Sequence, residues 1–168
     1  MTPSNGTDVD EASAGNRLDV HAMPGHLIRR MHQASQAIFD GEMARNGLDL
    51  TSVQYAALAV IAAQPGLDQA TLAAIIAFDR VTTGGVIDRL EAKALVRREI
   101  AKGDRRSRRL HLEPQGAKIL TSARPIVEDV QAKMMVGLDK REQSQFLKLL
   151  QKALDAVGDV RRGPARSA

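Results

Sequence analysis

Between Arg80 and Arg109 the chain carries ten cationic side chains: Arg80, Arg89, Lys93, Arg97, Arg98, Lys102, Arg105, Arg106, Arg108 and Arg109. Four acids accompany them, Asp88, Glu91, Glu99 and Asp104. The segment therefore holds a charge of +6 in a chain whose total is +4, which leaves −2 for everything else. Cations gathered on one stretch against an acidic remainder are what contact with a polyanion requires. A solvated basic face is the ordinary fate of a charge run, so the weight of the argument rests on the elements that carry it.

Other chemistries find little support. With no cysteine there is neither a disulfide nor a thiol nucleophile. The chain has no nucleophile elbow and no phosphate-cradling glycine loop, so no enzyme is expected. There are four histidines, and none pairs with another ligand at helical spacing, so no metal and no cofactor are expected. One further cluster bears chemistry: His26, Arg29, Arg30 and His32, close in sequence to Met23. A cation from His26, Arg29 or Arg30 beside the apolar Met23, Tyr55 and Ala59 would suit a small aromatic carboxylate as effector.

The elements that must position these residues read as mainly α, with a small β-hairpin. Pro24 opens an amphipathic helix in which Leu27, Met31, Ala34 and Ile38 recur at helical spacing, and Gly47 ends it. Thr51-Ser-Val-Gln54 is a capping box for a second helix, closed by Pro65-Gly66. A short helix, 69–77, leads through Phe78-Asp79 into another from Arg80 to about Lys93, with Asp79 as N-cap and Val86, Ile87 and Leu90 inward. Two short helices joined by a tight turn form a helix-turn-helix. Residues 95–101 and 108–112 alternate as strands, joined by the charged tip Lys102-Gly-Asp-Arg-Arg-Ser107. Such a wing lies along a DNA backbone or enters a minor groove. Asp104 could instead brace Arg106 across that tip. Pro114 starts a long helix striped by Ile119, Ile126, Val127, Val130 and Met134. Asp139 with Glu142 caps a last helix whose Phe146, Leu149, Leu150, Ala153 and Val157 face inward.

Composition agrees with helices packing on helices: 43% hydrophobic but only 2% aromatic. The N-terminal segment has no apolar signal core and no run approaches a membrane span, so a cytoplasmic protein with no membrane partner is expected. The expected organisation is a disordered tail over 1–20, a dimerising first helix over 21–50, a DNA-binding winged helix-turn-helix over 51–112, a helical dimerising region over 113–158 and a frayed end over 159–168.

This order resembles the MarR family of winged-helix regulators. Asp79-Arg80 with Thr82, Asp88-Arg89-Leu90-Glu91, Leu95-Val96, Asp104-Arg105-Arg106 and Leu112-x-Pro114-x-Gly116 carry the likeness, which spans about 24–157. The string from Pro24 to Gln33 is similar to a subgroup of repressors of aromatic-acid catabolism, nicotinate pathways included. The resemblance implies a homodimer on a pseudo-palindromic duplex DNA operator. It places an effector pocket between the first two helices, the winged region and the long helix after it. The residues set to meet DNA are Gln69, Arg80, Thr82, Thr83, Gly84, Arg89, Lys102, Arg105 and Arg106.

There are three departures. Ala94 replaces the usual Gly before Leu-Val, so that turn needs φ < 0 or accepts strain. Glu113 replaces Thr as a helix cap. Gly84-Gly85 stands where relatives carry polar side chains, either for close approach to DNA or for a tight helix contact. The function read from all this is a transcriptional regulator, a repressor released by a small aromatic acid. The rival readings are an effector-independent architectural DNA-binding protein and a helical protein–protein adaptor.

Overall fold

The computed structural model describes residues 19–101 and 104–162, with side chains over 19–100 and 108–158. The described residues belong to two compact units divided in sequence between Ala34 and Ser35. In the first, the Asp19 carboxylate accepts the His21 N–H at 2.9 Å and caps a 3-10 turn, Val20–Ala22. Asp19 and Val20, within the stretch expected as a tail, thus belong to a capped turn; residues 1–18 of that expectation lie outside the described residues. Helix α1, Pro24–Arg45, starts in this unit on the proline whose fixed φ suits a first turn.

In the second unit α1 ends where Gly47 takes φ +68° and the Leu48 N–H closes on the Met43 carbonyl at 2.9 Å. Helix α2, Ser52–Ala63, begins with the expected capping box, both hydrogen bonds of which form between Thr51 and Gln54. Helix α3, Gln69–Ile75, is shorter than its sequence pattern suggests. It ends early because Ala77 turns to φ +59° and the Phe78 N–H returns to the Ala73 carbonyl. Helix α4, Arg80–Ala92, follows at once, capped by Asp79.

Strands β1, Val96–Ala101, and β2, Asp104–Leu112, pair antiparallel from Val96 opposite Leu112 to Ala101 opposite Asp104. The expected six-residue tip is therefore largely strand. A charged side chain does not bar a residue from an exposed ladder, because the ladder is made by the backbone. The segment before α3 adds a short edge: Gly66 and Leu67 exchange hydrogen bonds with Leu110 at 2.8 and 2.9 Å.

Helix α5, Pro114–Met134, packs against α2. Glu113 makes no side-chain cap, as its chemistry led one to expect. A Cβ on Gly116 would collide with the Leu95 carbonyl, so the glycine lets α5 lie directly on the chain entering the wing. Leu58, Ile61, Leu72, Ile87, Leu90 and Leu110 form the centre of the core.

Helix α6, Lys140–Arg162, is capped through Asp139 and Glu142 as its sequence implies, and it continues past residue 158. Its expected inward face is not inward within one chain. Phe146 and Leu150 are half-buried, Ala153 is exposed, and Leu149 and Val157 are 56% and 58% exposed. No single described helix is long and apolar enough to cross a membrane.

Candidate nucleic-acid interface

Helix α4 owes its start to one carboxylate. Asp79 accepts the Thr82 N–H at 2.8 Å and the Thr82 hydroxyl at 2.6 Å. These bonds, the hydroxyl's foremost, hold the Asp79 pKa below its ordinary value. The helix then buries one stripe, Thr83, Val86, Ile87 and Leu90. The opposite stripe, Val81, Gly85 and Asp88, follows from the same 3.6-residue period and faces away from the core. Val81 is 87% exposed. Sequence reasoning passed it over, although placing Val86, Ile87 and Leu90 inward already leaves Val81 on the outer side.

The residues set to meet DNA divide. Arg80, Thr82 and Arg89 are exposed on α4. Thr83 is not: it is fully buried, and its hydroxyl donates to the Asp79 carbonyl at 2.8 Å. As a base-reading residue it is ruled out, because the hydroxyl already has a backbone partner inside the fold. Gln69 is half-buried and its amide donates to the Arg80 carbonyl at 3.1 Å, tying the start of α3 to the start of α4. A Cβ on Gly84 would sit 3.1 Å from that same amide nitrogen, whereas one on Gly85 would meet nothing within 4 Å. Gly84 thus serves the contact between helices, and Gly85 is the position that keeps the outer face low.

The basic segment is less free than its charge suggests. Arg98 reaches from β1 to Asp88 and Glu91 on α4, each at 2.5 Å. Burial works against its charge, but the two carboxylates outweigh that and raise its pKa. Arg97 pairs with Glu99 at 2.6 Å and Glu113 at 3.0 Å. Lys93 grips Asp49, and Arg109 donates to the Gly66 carbonyl at 3.2 Å. Arg80 and Arg89 form no ion pair with the described residues. Lys102 lies outside the described residues. For Arg105 and Arg106 the description covers only their backbone, in β2, and the bracing of Arg106 by Asp104 falls outside it as well.

The residues proposed for an effector are not brought into one described site. Met23, His26, Arg29 and Arg30 belong to the first unit, where His26 stacks edge-on against His21 with ring centres 5.4 Å apart. Arg29 and Arg30 are exposed, and His26 and Met23 half-buried. The His26 Nε2 is buried and, among the described side-chain atoms, stands without a hydrogen-bond partner. Tyr55 and Ala59 belong to the second unit and pack on its core, with Tyr55 tilted against Phe39 at 6.4 Å.

A groove of about 420 Å³ opens elsewhere in that unit, lined by Ala37, Ile38, Gly41, Glu42, Arg45 and Lys133. Its floor is the nearly buried Glu42, which pairs with Arg45 and with Lys133 at 2.6 Å. Sequence reasoning missed this tie, because Glu42 and Lys133 lie far apart in the chain. Among the described residues no group of three or more His, Asp or Glu could hold a metal.

A model of the MarR family matches residues 48–107, the helix-turn-helix and the start of the wing. The chain is 34% identical over 131 residues to the transcriptional regulator HosA of Escherichia coli O111:H-, covering 78% of this chain and 94% of that one. It is 32% identical over 138 residues to the transcriptional repressor NicR of Pseudomonas putida, covering 82% and 86%. Among solved structures, Bordetella bronchiseptica BpsR, studied for regulation of its DNA binding by 6-hydroxynicotinic acid, superposes with a TM-score of 0.78. It is 28% identical, and the match covers 83% of this chain and 99% of that one.

Proposed function

The chain belongs to the MarR family of transcriptional regulators, and from that premise we propose that it is a dimeric repressor released from its operator by a small aromatic carboxylate. The observation that carries the DNA-binding part is the outer face of α4. It is exposed at Val81, Thr82 and Asp88, is flanked by the exposed Arg80 and Arg89, which form no ion pair among the described residues, and carries at Gly85 no side chain to hold a duplex away. A helix about 10–12 Å across fits the major groove, with phosphates met by the flanking cations. The paired arginines Arg97, Arg98 and Arg109 hold the wing in place, which leaves contact with the backbone to the residues nearer its tip.

The dimer is supported by α6. None of its described residues is buried: along the stripe Phe146, Leu149, Leu150, Ala153 and Val157, Leu149 and Val157 are 56% and 58% exposed, and Leu147 and Leu154 stand exposed beside it. An apolar stripe of that length exceeds what a monomer ordinarily shows to water. A second copy would cover it and set two α4 helices about 34 Å apart, one turn of DNA.

The effector class is supported by the relatives, one named a repressor and one regulated by a hydroxylated pyridine carboxylic acid. It is also supported by His26, whose buried Nε2 has no hydrogen-bond partner among the described residues, one that a carboxylate would supply. His26 is therefore favoured over Arg29 and Arg30, which are already solvated. To weaken operator binding 100-fold, the acid must prefer the non-binding conformation by about 2.7 kcal/mol.

The test selects duplexes from a randomised pool and titrates the enriched site against salt. Binding that falls steeply with salt and is relieved by benzoate, nicotinate or 6-hydroxynicotinate, but not by the matching amides, is the expected result. Relief by acid and amide alike would remove the carboxylate argument, and unchanged relief in His26→Ala would remove His26. Salt-insensitive or absent DNA binding would favour a protein–protein adaptor.

A further inference from the structure

Apart from Arg80 and Arg89 at its flanks, the outer face of α4 is short of groups free to read a base edge by hydrogen bonding. The Thr82 hydroxyl donates to Asp79 at 2.6 Å, the Thr83 hydroxyl is buried on the Asp79 carbonyl, and the Gln69 amide is held by the Arg80 carbonyl. Gly84 and Gly85 bring no side chain, and Asp88 is held by Arg98. What does stand on this face is Val81, 87% exposed in the first turn.

A single exposed valine is unremarkable on a protein surface. This one has a particular position. It lies opposite the buried stripe of Thr83, Val86, Ile87 and Leu90, with Gly85 one turn further along the same side and open space where a Cβ would be. Its isopropyl group is thus the highest point of a low face, flanked by Arg80 and Thr82 and with nothing taller before Asp88.

We propose that Val81 is a specificity-determining residue that selects thymine by packing its methyl groups on the thymine 5-methyl in the major groove. The inference rests on the reading of α4 as the helix that enters that groove. In the major groove thymine presents the one apolar substituent among the four bases, and apolar side chains are the groups that recognise it. The burial removes methyl surface from water on both partners, and no charge is involved. Val81 accordingly contributes base preference without contributing to the salt dependence.

The experiment uses the full-length protein and a duplex enriched from a randomised pool. Each thymine of the half-sites is replaced in turn by deoxyuridine, which deletes only the 5-methyl group. Wild type should lose roughly three- to tenfold in affinity at one symmetry-related pair of positions, a methyl's worth of burial. Val81→Ala should bind the thymine duplex weaker by a similar factor, lose the difference between thymine and deoxyuridine there, and keep the wild-type salt slope. Placing 5-methylcytosine at that position in a cytosine variant should restore part of the wild-type affinity and none of the variant's.

Wild type that is indifferent to deoxyuridine at every thymine would overturn the assignment. So would a Val81→Ala protein that still distinguishes the two, or an enriched site with no thymine in its half-sites. Any of these results alongside salt-dependent binding leaves the DNA-binding reading standing. Absence of binding to every duplex would overturn both.

Discussion

Thr82 and Thr83 are adjacent and chemically identical, yet the helix turn between them sends one to the surface and the other into the core. Thr82 completes the Asp79 cap from outside. Thr83 is fully buried, with its hydroxyl on the Asp79 carbonyl. Thr83→Val keeps the shape and removes that hydrogen bond. We expect a loss of about 0.5–1.5 kcal/mol in urea unfolding and an unchanged ranking of operator variants. A changed ranking at equal stability would return Thr83 to the interface. Asp79 gives a second prediction at this scale. Its depressed pKa means that its contribution to stability is complete above the unfolded value of about 4 and is lost as pH falls through the folded value. The gap in melting midpoint between wild type and Asp79→Ala should be widest near pH 7 and narrow below about pH 4, as pH falls through the folded value. A gap independent of pH would mean that the carboxylate's charge contributes nothing to the cap.

Helix α4 is held at both ends by side chains from other elements, Gln69 of α3 at its start and Arg98 of β1 near its end. Its two glycines test how tightly. Gly85→Ala has open space and should stabilise the fold by up to about 1 kcal/mol through helix propensity. If close approach to DNA needs the bare backbone, the same variant should bind the enriched duplex several-fold more weakly, so that stability and affinity move in opposite directions. Gly84→Ala should gain less stability, because its methyl would press on the Gln69 amide. Equal stabilisation at both sites would remove the packing role given to Gly84. Neither the Arg98 clamp nor the Gln69 tie was legible in the sequence, since they join residues seven to eleven apart through a fold that the spacing does not reveal.

At the scale of the whole molecule, the open face of α6 is an apolar surface that one chain does not cover among its described residues. Leu149 is 56% exposed, so a charge there costs the isolated chain little. In the proposed dimer the same charge would be buried against the partner copy. Leu149→Asp should therefore sediment as a monomer at micromolar concentration, keep its helical content and lose cooperative operator binding. A wild-type chain that sediments as a monomer would undo the spacing of the two α4 helices as well. A variant that remains dimeric would move the interface off this stripe.

What the chain determined by sequence alone is local. Capping boxes at Thr51 and Asp139, the cap at Asp79, the stop at Gly47 and the inward triad Val86, Ile87 and Leu90 are all set within one or two turns by hydrogen bonds and periodicity, so neighbouring letters suffice to read them. Ala94, a departure from the glycine expected there, does accept φ +53°. The tertiary structure alone decided which charges are available. Of a segment dense in cations, Lys93, Arg97 and Arg98 are neutralised by Asp49, Glu99, Glu113, Asp88 and Glu91, and among the described residues Arg80 and Arg89 on α4 have no ion-pair partner. Likewise only the packed fold made Gly116 obligatory against Leu95. The reason is range: a cap or a helical stripe is fixed by residues within a few positions, whereas an ion pair or a backbone contact depends on where distant segments are folded to meet.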